Sequence, residues 1–115
     1  MILKNKKIAI LVEMNYQDLE VWYPYYRLKE AGAEVFFVGT GSSKSYKGKF
    51  GYPLEVDKTA DQVKAADIDA VIVPGGWAPD QLRRYESVLK LVRDVFAAGK
   101  LVAAICHGGW VPASA

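Results

Sequence analysis

Four apolar runs punctuate the chain, at residues 8–12, 35–38, 70–73 and 101–105. They are rich in Val and Ile and do not alternate with polar residues. A strand with one wet face alternates, whereas a strand buried on both faces reads as a continuous apolar run, as in a parallel sheet covered by helices. Between the runs the period changes to that of a helix. In residues 18–31, Leu19, Trp22 and Tyr26 form one set at helical spacing and Val21, Tyr25 and Leu28 another, and Gly32 stands where a left-handed cap is expected. A second helix is predicted over residues 88–98, capped by Ser87, with Leu89, Val92 and Phe96 as its inward stripe and Gly99 as its stop. A shorter helix is predicted over residues 59–66, with Thr59 as its cap. Residues 40–57 contain Gly41, Gly48 and Gly51 together with Lys44, Lys47 and Lys49, and read as a loop and a small hairpin turning near Lys47-Gly48.

This order predicts an α/β fold: a doubly wound, mostly parallel sheet with helices on both faces and right-handed crossovers. Residues 1–115 form a single domain with neither repeats nor a linker. The last strand is followed by only ten residues, too few to cover the sheet, so the chain is expected to be the N-terminal portion of a longer domain, incomplete at its C-terminal end.

Composition narrows the function. The chain has 115 residues, 51% of them apolar, with one Cys, one His and a net charge of +2. A lone cysteine excludes a disulfide scaffold, and one Cys with one His cannot complete a structural zinc site. The small net charge gives no footprint for nucleic acid or an anionic membrane, and the basic residues 44–49 read as a solvated surface. The apolar stretch near the start is too short for a signal or a span, so a cytoplasmic location is expected. The stretch from Gly39 to Lys44 matches neither a dinucleotide fingerprint nor a P-loop. Trp22, Trp77 and Trp110 are too dispersed for a base-stacking platform and are read as core or interface residues.

In an open parallel sheet, ligands bind beyond the carboxyl ends of the strands. Just past the four runs come Glu13 to Glu20, Gly39-Thr40-Gly41, Pro74-Gly75-Gly76-Trp77 and Cys106-His107-Gly108-Gly109, so acids, a glycine pair and a Cys-His pair are placed on one edge. Ala104-Ile105-Cys106-His107-Gly108 has the small-x-nucleophile-x-small layout of a nucleophile elbow, in which a sharp strand-to-helix turn requires small neighbours and lifts the central side chain clear of the sheet. Amides at the start of a following helix favour a thiolate at Cys106 and can hold an oxyanion. His107, the only imidazole, is the available neutral-pH base. Gly75-Gly76 is either a plain turn or a second source of oxyanion-binding amides. Glu20 lies four residues before Pro24, which removes a bond from the helical turn that carries it. Asp18 suits the helix start, and Glu13 reads as a strand-end surface residue.

Residues 20–32, 73–80 and 103–108 together resemble the PfpI branch of the ThiJ/PfpI superfamily, which is related to class I glutamine amidotransferase domains and has a flavodoxin-like sheet. They span nearly the whole chain, in the family's order and spacing. The resemblance implies that Cys106 is the nucleophile and His107 its base. It further implies that Glu20 is a carboxylate facing the sulfur, and that Gly75 and Gly76 form the loop facing the substrate oxygen. By the same resemblance Asp80 is an acid that orients the histidine of a neighbouring subunit, so that the site is completed in a homo-oligomer. The chain departs from the pattern at Gly109, where the family usually has Pro, and at Pro112, which is expected to kink or shorten the helix after the turn.

The implied activity is a cofactor-free cysteine hydrolase acting on carbonyl groups, either a peptidase or a glyoxalase/protein deglycase, with a peptide or small carbonyl substrate. The alternative is a non-catalytic protein, either a cysteine-based oxidative-stress sensor or an interaction domain, or an inactive fragment. Sensing requires Cys106 and Glu20 but not His107.

Overall fold

A computed structural model describes all 115 residues. In chain order it contains β1 (Lys7–Leu11), α1 (Asp18–Glu30), β2 (Glu34–Gly39), β3 (Ser45–Lys47), β4 (Pro53–Glu55), β5 (Lys58–Thr59), β6 (Ala70–Val73), α2 (Ala78–Leu82), α3 (Glu86–Ala97), β7 (Leu101–Ala104) and α4 (Trp110–Ser114). Five strands form one parallel sheet in the order β5-β2-β1-β6-β7, and β3 and β4 pair as a separate antiparallel hairpin. The predicted doubly wound α/β architecture is therefore present.

The four apolar runs are strands β1, β2, β6 and β7, of which the first three are inner strands. β7 is an edge strand, and contrary to the expectation of two-sided burial its Leu101 is 62% exposed. Residues Ile8 to Val12 are buried throughout, as are Val35 to Val38, because both sheet faces are occupied near β1 and β2. From β1 the chain crosses to β2 on one side, and from β6 it crosses to β7 on the other. With right-handed crossovers this puts α1 and α3 on opposite faces. The reversal of direction falls between β1 and β6, so the crevice for a ligand lies above that pair.

Several local expectations are corrected. Helix α3 begins at Glu86, after an extended Tyr85 that supplies no side-chain cap, so Ser87 lies inside the helix. Its buried stripe is Val88, Leu91, Val92 and Val95; of the expected set Val92 is buried, Leu89 packs half-buried at the edge of the core and Phe96 is 75% exposed. The predicted helix over 59–66 is two separate 3₁₀ turns, Ala60–Gln62 and Ala65–Asp67, because Val63 and Lys64 are extended between them. Thr59 ends the short edge strand β5 and, as expected, is the cap residue of the first turn, its N–H donating to the Gln62 side chain at 3.0 Å. The helix after the turn is short, one of the two outcomes expected from Pro112, and carries no kink. The chain forms a 3₁₀ turn, Cys106–Gly109, and then α4, whose third residue is Pro112, a position whose N–H needs no helical acceptor. Pro24 is accommodated within a continuous α1.

Glu13 is not a surface residue. It is 4% exposed, and it is the one charged residue in the buried set. Its Oε2 accepts from Ser42 Oγ at 2.7 Å, Thr40 Oγ1 at 2.5 Å and Tyr46 Oη at 3.2 Å, while Oε1 accepts from the Met14 N–H at 2.9 Å. A buried carboxylate with no cation beside it is tolerable when its lone pairs are filled in this way. The network pins the β3–β4 hairpin against the end of β1. Asp18 holds the hairpin's turn from the other side, accepting from the Phe50 and Tyr52 N–H groups at 3.1 Å each. No helix is long and apolar enough to cross a membrane.

Candidate active site

Three connections meet at the carboxyl edge of the sheet: the loop from β1 to α1, the loop from β6 to α2, and the turn after β7. The first two are stitched together. Gln17 N–H donates to Gly75 O at 3.1 Å and Trp77 N–H to Asn15 O at 2.9 Å, so Tyr16 and Gly76 face each other as an isolated antiparallel bridge. Gly76 has φ +79°, and a Cβ there would lie 2.7 Å from Asn15 O, so both conformation and space demand glycine. Tyr16 is buried beneath this bridge, donating to Tyr52 O and accepting from Trp22 Nε1. Burial pushes its phenol above the ordinary range, against the opposing effect of the Trp22 donor.

The turn after β7 is sharp. Cys106 has φ +58°, a conformation that side-chain-bearing residues seldom adopt and one that a nucleophile elbow requires. The strand hydrogen bonding ends with Ile105 N–H donating to Val73 O at 3.2 Å. Gly108 is buried directly against that segment, and a Cβ on it would fall on the Val73 carbonyl oxygen. Ala104 is exposed, so crowding explains the small residue on one side of the cysteine only. The thiol-bearing residue itself is exposed.

Gly75 joins these pieces. Its N–H donates to Glu20 Oε1 at 2.9 Å. The point where a Gly75 Cβ would sit is 2.6 Å from Glu20 Oε1, 2.7 Å from Cys106 Cβ and 3.2 Å from Cys106 Sγ. The carboxylate and the sulfur, 86 positions apart in the chain, thus converge on the space left by one missing methyl group. The Gly75 amide serves Glu20, whereas the amides of Gly76, Cys106 and His107 have no protein acceptor.

His107 is exposed and makes no hydrogen bond with any carboxylate of its own chain. Its ring lies face to face with Trp110, with centroids 4.6 Å apart and planes 7° from parallel. Asp80, in the first turn of α2, pairs with Arg84 at 2.8 Å and not with His107. That ion pair is solvent-exposed and holds the acid weakly. Of the tryptophans, Trp22 packs among Tyr25, Tyr26, Phe37 and Tyr52, whereas Trp77 is 62% exposed and belongs to no core.

Two features escape sequence reasoning. The Glu13 network has a signal in the register of the sheet: β1 and β2 pair in parallel with Leu11 opposite Val38, which carries Glu13 level with Thr40. The Trp110 stack has none, because its geometry depends on where the 3₁₀ turn gives way to α4.

Known proteins resemble this chain over most of its length. Residues 6–115 match the model of the DJ-1/PfpI family. A deglycase of Pyrococcus horikoshii is 40% identical over 109 residues, covering 95% of this chain and 65% of that protein. The protein/nucleic acid deglycase 2 of Escherichia coli is 39% identical over 105 residues, covering 90% of this chain and 61% of its own length. This chain thus spans less than two thirds of the curated relatives it matches. A crystal structure of a two-domain Anabaena variabilis protein, containing DJ-1/ThiJ/PfpI-like and ferritin-like domains, superposes with a TM-score of 0.92 at 41% identity, over 96% of this chain and 32% of that one.

Proposed function

The chain belongs to the DJ-1/PfpI family, and from that premise we propose that it is a cysteine hydrolase of carbonyl compounds with Cys106 as its nucleophile. The observation that carries this reading is the convergence of Cys106 and Glu20 on Gly75, beneath an exposed thiol on a left-handed turn. In the proposed reaction the sulfur attacks a carbonyl carbon, forming a C–S bond as the C=O π pair moves onto oxygen. The free amides of Gly76 and His107 stabilise that oxyanion. With a peptide, the imidazole of His107 takes the thiol proton and gives it to the departing amine, and water then hydrolyses the acyl thioester. With a 2-oxoaldehyde, which has no leaving group, His107 protonates the oxyanion to a hemithioacetal and then moves the C1 proton to C2 through an enediol, leaving a 2-hydroxyacyl thioester that water hydrolyses. Glu20 holds the Gly75 loop and limits where the sulfur can go. Asp80 is proposed to complete the site of a second copy of the chain, orienting that copy's His107.

The relatives named deglycases favour an aldehyde or its protein adduct as substrate over an unmodified peptide. The Cys-His pair serves both chemistries, so substrate comparison separates them. With methylglyoxal and with a fluorogenic peptide as alternative substrates, Cys106→Ala is expected to abolish turnover. His107→Ala is expected to reduce it by about 10³-fold, the range of a lost general base. A second reading is favoured by the exposure of Cys106 beside a carboxylate: oxidation of the thiol to a sulfinate read by partners. Under that reading His107→Ala leaves peroxide-dependent modification of Cys106 intact and there is no turnover to lose.

A further inference from the structure

We propose that Trp110 is a positioning residue for His107 from within its own chain, holding the imidazole plane by stacking, with Arg83 holding the indole in turn. This rests on the reading of His107 as the proton carrier. An exposed histidine with no hydrogen-bond partner rotates freely about two bonds, and only a fraction of its orientations places a ring nitrogen toward the neighbouring sulfur. His107 has no acid of its own chain to fix it. What it has is the indole of Trp110, at 4.6 Å and within 7° of parallel, a geometry that fixes the plane of the ring whatever its protonation state.

The indole is itself anchored. Trp110 is the first residue of α4, and its neighbour Val111 is fully buried. The Arg83 guanidinium carbon lies 5.4 Å from the Trp110 ring centroid, within cation–π range. Arg83 Nε donates to Ser114 Oγ at 2.9 Å, which ties the end of α2 to the last turn of α4. Arg83, Trp110 and His107 therefore form a chain of contacts running from the helix behind the site to the base. The ring lies outside the core and covers His107.

The test uses the fact that His107 is the only histidine, so its imidazole gives a single, unambiguous set of NMR signals. In the wild-type chain the ring protons are expected to be shielded by the indole. Trp110→Ala should remove that shielding and lower kcat for the preferred carbonyl substrate about tenfold, the rate equivalent of losing one aromatic contact, with KM little changed. Trp110→Phe, which keeps a stacking face, should restore most of both, whereas a purely structural role would track the unfolding temperature of each variant instead. His107 signals that do not move in Trp110→Ala would overturn the proposal. So would an unchanged kcat in Trp110→Ala alongside a collapse in His107→Ala. If His107→Ala itself leaves turnover intact, the hydrolase reading fails first, and the stack has no reaction to serve.

Discussion

Gly75→Ala is expected to reduce turnover by about 100-fold, the cost of displacing reacting groups by roughly an ångström. The new methyl group would sit 2.6 Å from Glu20 Oε1 and 2.7 Å from Cys106 Cβ. The carboxylate end can swing aside, but Cys106 Cβ is fixed by a backbone already in a left-handed conformation. The substitution therefore pushes the thiol away from the amides of Gly76 and His107 and breaks the Gly75–Glu20 hydrogen bond. Because one of the two clashes is with a flexible side-chain terminus, the unfolding temperature should fall only modestly. Steady-state kinetics together with a melting curve distinguish this outcome from general loss of structure. Activity near the wild-type level would mean that the approach of Glu20 and Cys106 to Gly75 is irrelevant to the chemistry.

Gly108→Ala is expected to act on the fold itself. Its methyl group would land on the Val73 carbonyl oxygen, a backbone atom that cannot step aside without breaking the β6–β7 edge. Overpacking against main chain should cost about 3 kcal/mol, a substantial share of the stability of a domain this size. A drop in melting temperature of about 10 °C or more is the corresponding signal. Gly109→Ala, at the next residue of the same turn, is the control. Nothing lies within 4 Å of a methyl group there, so its melting point should stay near that of the wild-type chain.

The two glycines show what could be read from sequence and what could not. The strands were legible because burial on both faces leaves unbroken runs such as Ile8 to Val12, and the strand-edge rule then gathered Glu20, Gly75 and Cys106 on one side. The need for a small residue at 108 was legible from the elbow pattern, and the structure supplies the atom responsible. The direction of the Gly75 amide was not legible. Whether it faces substrate or a carboxylate depends on a side chain 55 positions away, and the structure gives it to Glu20. Glu13 was misread because a charged residue after a strand is ordinarily solvated. Its burial follows from hydroxyls on Thr40, Ser42 and Tyr46 that only the parallel register brings to it. The phase of α3 was misread because Leu89 and Phe96 have the same spacing as the residues that are buried. Periodicity alone does not say which of two apolar stripes meets the sheet.

The account rests on a covalent bond between Cys106 sulfur and a carbonyl carbon, and that bond can be observed. A peptide aldehyde carrying ¹³C at its carbonyl, mixed with the chain in slight excess of protein, is predicted to convert from the free aldehyde and hydrate signals to a single tetrahedral hemithioacetal signal. The same experiment with Cys106→Ala should show the free signals only. A ¹³C spectrum that is the same for both proteins would contradict the assignment of Cys106 as the nucleophile.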